Sequence, residues 1–295
     1  VFKPRGVPMA ATGISNATPI PVTRSNDQCT SIIKTIALTV QANHAALVWR
    51  DLSAGFVDHA CAVKYSGETY CWGSNEFGEL GAGAPVDCSR LTPTAITFPC
   101  SRTPVRVQCG AAPCSFTAVS AGARHTCALD ETQHAWCWGS NFVGQLGLGG
   151  TLATHPGGQV PEQVANSPPF SAISAGGFHT CGLTAAGEIY CWGDNSGGQL
   201  GTVSSTQLRA PSLVSFPGKW ESVVAGWNFT CAVDAGGIES CWGWNTQNVL
   251  ANTATIVTAP FCANCTAVPV RVQGPHFPAM NGKIIDIAAP GLAIN

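Results

Sequence analysis

The chain has 295 residues, of which only 10% are charged, well under the ~25% of an average soluble protein. A net charge of −2 without any run of Lys or Arg leaves no source for the phosphate attraction on which nucleic-acid binding depends. No stretch approaches the ~20 apolar residues of a membrane span, and fifteen cysteines point to an oxidising compartment.

The sequence starts at Val1 with no signal peptide ahead of it, as expected of a mature or excised piece of a longer chain. The first sequon, Asn16-Ala-Thr18, lies on this terminus. Pro19-Ile20-Pro21-Val22 has the form of a strand that returns four times further on. Residues 23–48 fit no repeat position and contain an apolar stretch over 32–47. Residues 1–48 are therefore read as a partial repeat strand followed by an irregular insertion, and 49–295 as a repeat array.

Each repeat opens on a lead-in strand, first Asp51-Leu52-Ser53-Ala54-Gly55. The first hairpin, 56–81, carries Cys61, then Cys71-Trp72-Gly73, and closes on Asn75-x-x-Gly78-x-Leu80-Gly81. A long loop with Cys88 and Cys100 leads to the strand Pro104-Val105-Arg106-Val107. Cys109-Gly-Ala-Ala-Pro-Cys114 is spaced to close on itself. The second hairpin, 122–147, repeats the pattern with Cys127, Cys137-Trp138-Gly139 and Asn141-x-x-Gly144-x-Leu146-Gly147. The third, 176–201, has Cys181, Cys191-Trp192-Gly193 and Asn195-x-x-Gly198-x-Leu200-Gly201. The fourth, 226–251, has Cys231, Cys241-Trp242-Gly243 and Asn245, and Asn248 stands where the others have their first turn glycine. Asn tolerates the left-handed conformation that such a turn requires. Two further sequons, Asn228-Phe-Thr230 and Asn264-Cys-Thr266, fall in this last copy. Cys262-Ala-Asn-Cys265 is a CxxC without a thioredoxin-like context, which favours a local structural disulfide over redox chemistry. Residues 283–291 have the form of a fifth lead-in strand.

Folding the third copy about Ala186 sets Cys181 opposite Cys191 and Leu183 opposite Ile189, all on one strand face. Directly opposed residues of a non-hydrogen-bonded antiparallel pair are close enough for a disulfide. The expected pairs are Cys61–Cys71, Cys127–Cys137, Cys181–Cys191 and Cys231–Cys241. Spread across hairpins without a completing His, they make poor zinc ligands. Cys88, Cys100, Cys109, Cys114, Cys262 and Cys265 are left for loop bracing, and Cys29 for a missing segment or another chain.

A recurring unit of about 50 residues with roughly four short strands is one propeller blade. The fold class is all-β, a β-propeller with four clear blades and partial repeats at both ends. These motifs resemble the regulator-of-chromosome-condensation repeat family, on Gln145-Leu146-Gly147, Gln199-Leu200-Gly201, His125-Thr126 and His179-Thr180. The paired cysteines are similar to its secreted branch, the crinkly-type receptor-kinase ectodomains. The resemblance implies a propeller and says far less about function.

No nucleophile elbow, His-Glu-x-x-His helix, P-loop or dinucleotide fingerprint is present. His59, His125 and His179 share one repeat position, which suits buried hydrogen bonding rather than metal ligation. The Trp-Gly tryptophans are packing residues, whereas Trp49, Trp136, Trp220, Trp227 and Trp244 are irregular. Exposed ones among them would supply a surface for protein or sugar. The expectation is a secreted, glycosylated, non-catalytic module without metal or cofactor. It would serve as a structural or adhesive subunit whose partners are proteins or copies of itself, with carbohydrate as a further ligand. A receptor ectodomain, an enzyme or an enzyme inhibitor is the rival.

Overall fold

The computed structural model describes residues 48–83, 87–88, 98–110, 112–151, 153, 157–202, 206–216, 218–245, 248–250 and 264–272. Asn16, Cys29, Cys262, Pro19–Val22 as a strand, and the fifth lead-in over 283–291 lie outside them. Among the described residues there is no α-helix, and four antiparallel sheets follow one another along the chain.

The first blade comprises β1 (Trp49–Ala54), β2 (His59–Lys64), β3 (Thr69–Ser74), β4 (Asp87–Cys88) and β5 (Phe98–Arg106), in the order β1-β2-β3-β5-β4. A two-stranded ribbon, β6 (Gln108–Cys109) and β7 (Ala112–Pro113), leads out of it and is tied by the Cys109–Cys114 disulfide. The second blade is β8 (Phe116–Ala121), β9 (His125–Asp130), β10 (Ala135–Ser140) and β11 (Gly157–Gln163). The third is β12 (Ala172–Ala175), β13 (His179–Leu183), β14 (Ile189–Gly193) and β15 (Leu208–Leu213). The fourth is β16 (Trp220–Ala225), β17 (Phe229–Asp234), β18 (Glu239–Trp244) and β19 (Cys265–Arg271). The last three sheets pair their strands in chain order, and in every blade the long connection is the one that leads from the third strand to the Pro-Val strand. The Pro-Val segments form β5, β11, β15 and β19, and in the last three blades these are edge strands, where a residue without an N–H costs no ladder bond.

In every blade the register slips at Cys-Trp-Gly, between Cys71 and Gly73, Cys137 and Gly139, Cys191 and Gly193, and Cys241 and Gly243. The glycine takes a positive φ, 104° at Gly73, as a bulge residue does. A Cβ on Gly73 would stand 2.1 Å from the carbonyl oxygen of Asp58, so the backbone leaves no space for a side chain. Asn248 has φ 58°, the left-handed conformation expected where the other copies carry glycine. The invariant turn asparagine has its own task. Asn75, Asn141, Asn195 and Asn245 each accept, through Oδ1, the N–H of the leucine five residues on, at 3.0, 3.1, 2.9 and 3.0 Å.

The core is distributed between blades. Cys61, Cys71, Val63 and Leu80 of blade one pack with Phe116, Val119 and Trp138 of blade two. Cys127, Cys137 and Leu146 pack with Phe170, Ile173 and Trp192 of blade three. Cys181, Cys191 and Leu200 pack with Trp220, Val223 and Trp242 of blade four. One face of each of the first three sheets presents its cysteine pair, and the next sheet answers with its tryptophan.

Candidate binding surface

The repeated polar residues knit the blades together and are consumed by that task. Thr126 Oγ1 donates to the Glu79 carbonyl at 2.9 Å, and Trp138 Nε1 donates to the same oxygen at 2.7 Å. Thr180 and Trp192 meet the Gln145 carbonyl, and Thr230 and Trp242 the Gln199 carbonyl, in the same way. With its proton committed, each threonine accepts from the histidine of the preceding blade: His59 to Thr126 at 3.0 Å, His125 to Thr180 and His179 to Thr230 at 2.9 Å. That fixes the donor on Nε2 and leaves the lone pair on Nδ1, which is buried without a partner in all three rings. Burial pushes His59 and His179 down to about 4 and His125 to about 3, so all three are neutral at physiological pH. Among the described residues no group of three His, Cys, Asp or Glu side chains is placed to hold a metal ion.

The eight hairpin cysteines are joined as Cys61–Cys71, Cys127–Cys137, Cys181–Cys191 and Cys231–Cys241, with Cα atoms 4.0–4.1 Å apart. Cys100 and Cys265 are also disulfide-bonded. The sequons differ in setting. Asn264 is exposed, with its Nδ2 3.3 Å from the Asn245 carbonyl. Asn228 is half-buried, and its carbonyl accepts the Trp244 N–H, while its partner Thr230 is fully buried in the interblade network. A glycan on Asn228 must therefore be added before the fourth hairpin folds.

Several aromatic rings outside the interblade network lie at one end of the sheets. The loops between first and second strands are tied to the ends of third strands by Ser74 N–H to Asp58 O, Ser140 to Arg124, Asp194 to Phe178, and Trp244 to Asn228. The Asn-x-x-Gly turns leave from those same strand ends, so both sets of loops share one face. On it, Trp227 of blade four meets Phe56 of blade one and Phe178 of blade three edge-to-face, with centroids 5.9 and 5.7 Å apart. Phe77 and Phe142, from successive turns, make a third edge-to-face pair at 5.6 Å, and the Arg124 guanidinium lies 4.7 Å from the Phe77 ring. Phe142 is 58% exposed and Val57 42%. Beside this pair a shallow recess is lined by Glu76, Ser140 and Gln159. Among the irregular tryptophans, Trp227 is thus on the loop face, and Trp244 lies on the Gly197 backbone of blade three, where a Cβ would come 1.9 Å from its ring. Sequence reasoning named Trp227 and Trp244 but missed Phe56, Phe77, Phe142 and Phe178. Their signal was present, since they occupy variable positions between the lead-in glycine and the second strand (Phe56, Phe178) or inside the Asn-x-x-Gly turn (Phe77, Phe142). An edge-to-face cluster of half-exposed rings beside an arginine is apt for burying against another protein.

Two profiles described as Regulator of chromosome condensation (RCC1) repeat match the chain, one over 49–79, 116–145 and 170–199, the other over 66–129, 134–183 and 186–233. The human probable E3 ubiquitin-protein ligase HERC6 is 32% identical over 166 residues, 53% of this chain and 14% of that protein. The Arabidopsis thaliana Ultraviolet-B receptor UVR8 is 33% identical over 164 residues, 56% of this chain and 34% of its own length. The chain thus spans about a third or less of these relatives. Among solved structures, human WBSCR16 superimposes with a TM-score of 0.59 at 20% identity, covering 76% of this chain and 51% of that one. Yeast RCC1 (Prp20), solved bound to Kap60, gives 0.58 at 20% identity, covering 76% and 48%.

Proposed function

The chain belongs to the regulator of chromosome condensation (RCC1) repeat family, and on that premise we propose that it is a secreted, disulfide-braced binding module, working as a structural or adhesive subunit of an extracellular assembly. The observation that carries this reading is the convergence of Phe56, Phe178 and Trp227, from three different blades, into one half-buried aromatic cluster on the loop face. Nothing in the repeat pattern requires those rings, whereas the repeated His, Thr and Asn, and Trp138, Trp192 and Trp242, each have a structural bond to make. The disulfide in each of the four hairpins supports an oxidising compartment. A relative solved in complex with a protein, yeast RCC1 with Kap60, supports protein association as the mode of action.

The test is sizing of the native protein by light scattering, beside the variants Phe142→Ser and Trp227→Ser. The native protein is expected in a larger particle, and the variants in a smaller one with unchanged far-UV dichroism. A monomer of about 30 kDa for the native protein, or a particle indifferent to both substitutions, would sink the proposal.

A further inference from the structure

The Asn-x-x-Gly turn is held in the same way in three blades, and in one of them the residue that holds it differs in kind. Gln145 Oε1 accepts the Val143 N–H at 3.0 Å, while its Nε2 donates to Ser140 Oγ at 3.2 Å. Gln199 Oε1 accepts the Gly197 N–H at 2.8 Å, and its Nε2 donates to Asp194 Oδ2 at 2.7 Å. In blade one the position is Glu79, whose Oε2 accepts the Phe77 N–H at 2.8 Å, and Ser74 stands where blade two has Ser140. A carboxamide both accepts and donates, a carboxylate only accepts, and a protonated carboxyl has the carboxamide's pattern again.

Glu79 is 2% exposed and joins two parts of the molecule. Its side chain fixes the backbone of Phe77 on the loop face, and its carbonyl is the acceptor shared by Thr126 and Trp138 of blade two. Few charged groups bear on it. Glu76 of the same turn opposes its ionisation, and the Arg124 guanidinium, which lies on the Phe77 ring, favours it. His59, bonded to Thr126, is neutral, and β11 brings only Gly158 and Gln159 against the turn at Gly78. Burial is the largest of these effects and pushes the Glu79 carboxyl above the usual carboxylate range, against the N–H bonds that it accepts.

We propose that Glu79 is a proton-operated latch on the loop face: a proton on its carboxyl restores the donor and acceptor pattern of Gln145, with Ser74 as the acceptor, and a partner that docks over Phe77 and Phe142 does so with uptake of that proton. This rests on the loop face being the docking surface. The sign follows from the loss of water. A partner over the Phe77–Phe142 pair strips solvent from the turn, which raises the cost of a charge that is already buried. Docking then favours the neutral carboxyl, and by linkage acid favours docking. Blades two and three carry an amide at this position and do not share the dependence.

Light scattering of dilution series from about pH 8 to about pH 5.5 tests this, on the native protein and on Glu79→Gln, which installs the residue that blades two and three already use. The concentration at which the native particle half-dissociates is expected to fall with pH, by at most about tenfold per pH unit for one proton. Glu79→Gln should lose that slope and assemble at neutral pH as tightly as the native protein does in acid. A slope shared by both proteins, or a native particle that loosens in acid, would overturn the proposal. Unfolding midpoints separate the latch from the interface. Glu79→Gln should exceed the native protein by most at the alkaline end, with a gap that narrows as pH falls, because the folded carboxyl gains its proton before the unfolded one. A gap that does not vary with pH would overturn the latch itself, whereas a varying gap in a protein that is monomeric throughout would overturn the coupling to docking and the loop-face interface with it.

Discussion

Thr180 shows how much one side chain holds. Its hydroxyl donates to the Gln145 carbonyl and accepts from His125, both buried, in a junction that excludes water. Thr180→Val keeps the shape and removes both bonds, leaving the His125 Nε2–H without an acceptor, at an expected cost of about 1–3 kcal/mol in denaturant titration. Ala60 fills the threonine position of blade one, where no described blade precedes it, so Ala60→Thr should bring no gain. The same rings set an acid response. His59 and His179 are neutral in the fold down to about pH 4, and the unfolded chain protonates them from about 6.5. Above 6.5 neither state takes a proton. Between 6.5 and 4 only the unfolded state does, so stability falls as pH falls, and below 4 these two rings add no further loss. By pH 4.5 each contributes a loss of about 2–3 kcal/mol as an upper figure. Unfolding midpoints at pH 7 and 4.5 should lie further apart for the native protein than for His179→Asn. Equal gaps would mean that His179 does not titrate as its burial dictates.

At the scale of the hairpin, a cross-strand disulfide closes a loop of about ten residues, which by the chain-entropy estimate contributes at most about 2.5–3 kcal/mol. Peptide mapping without reductant should recover Cys61–Cys71, Cys127–Cys137, Cys181–Cys191 and Cys231–Cys241, and a link between blades or a free thiol among these eight would contradict the fold. The hairpins were legible because every position in them answers a local demand: Leu183 opposite Ile189, Gly187 in the turn at φ 83°, Asn195 reaching Leu200. Gln133, which stands in the second hairpin where the others carry Gly67, Gly187 and Gly237, takes the same left-handed conformation at φ 68°. The β4 strand in the long first loop was not legible, since two residues carry no periodicity. The tryptophan roles were half legible. Packing was evident, but the bond from Trp192 to Gln145 joins residues 47 apart in sequence, and only the stacked arrangement of blades brings them within 2.9 Å. The loop-face rings were hidden for a related reason: Phe56 and Trp227 belong to different repeats, and no spacing in the sequence links them.

For the whole molecule, arrays of blades are stabilised by neighbour terms, because each of the first three sheets buries its cysteine face against the tryptophan and lead-in strand of the next. Trp192 is fully buried at the middle junction, so Trp192→Ala should cost about 3–5 kcal/mol and divide unfolding into two transitions, where the native chain unfolds in fewer. The outer surface follows a different logic. With 10% charged residues and a net charge of −2, the molecule has little long-range field with which to steer a partner. If the loop face is the docking surface, its affinity must come from desolvating rings such as Phe142 and Trp227, and from Arg124 on Phe77 at close range. Burial of apolar area is not weakened by simple salt, whereas attraction between exposed charges is screened beyond about 10 Å at 0.1 M. Raising sodium chloride from about 0.05 to 0.5 M, a range over which that screening length falls severalfold, should therefore leave the particle size of the native protein unchanged or larger. Phe142→Ser should reduce it at every salt concentration. Dissociation by salt alone, with Phe142→Ser indistinguishable from the native chain, would move the contact away from the aromatic face and onto charged residues.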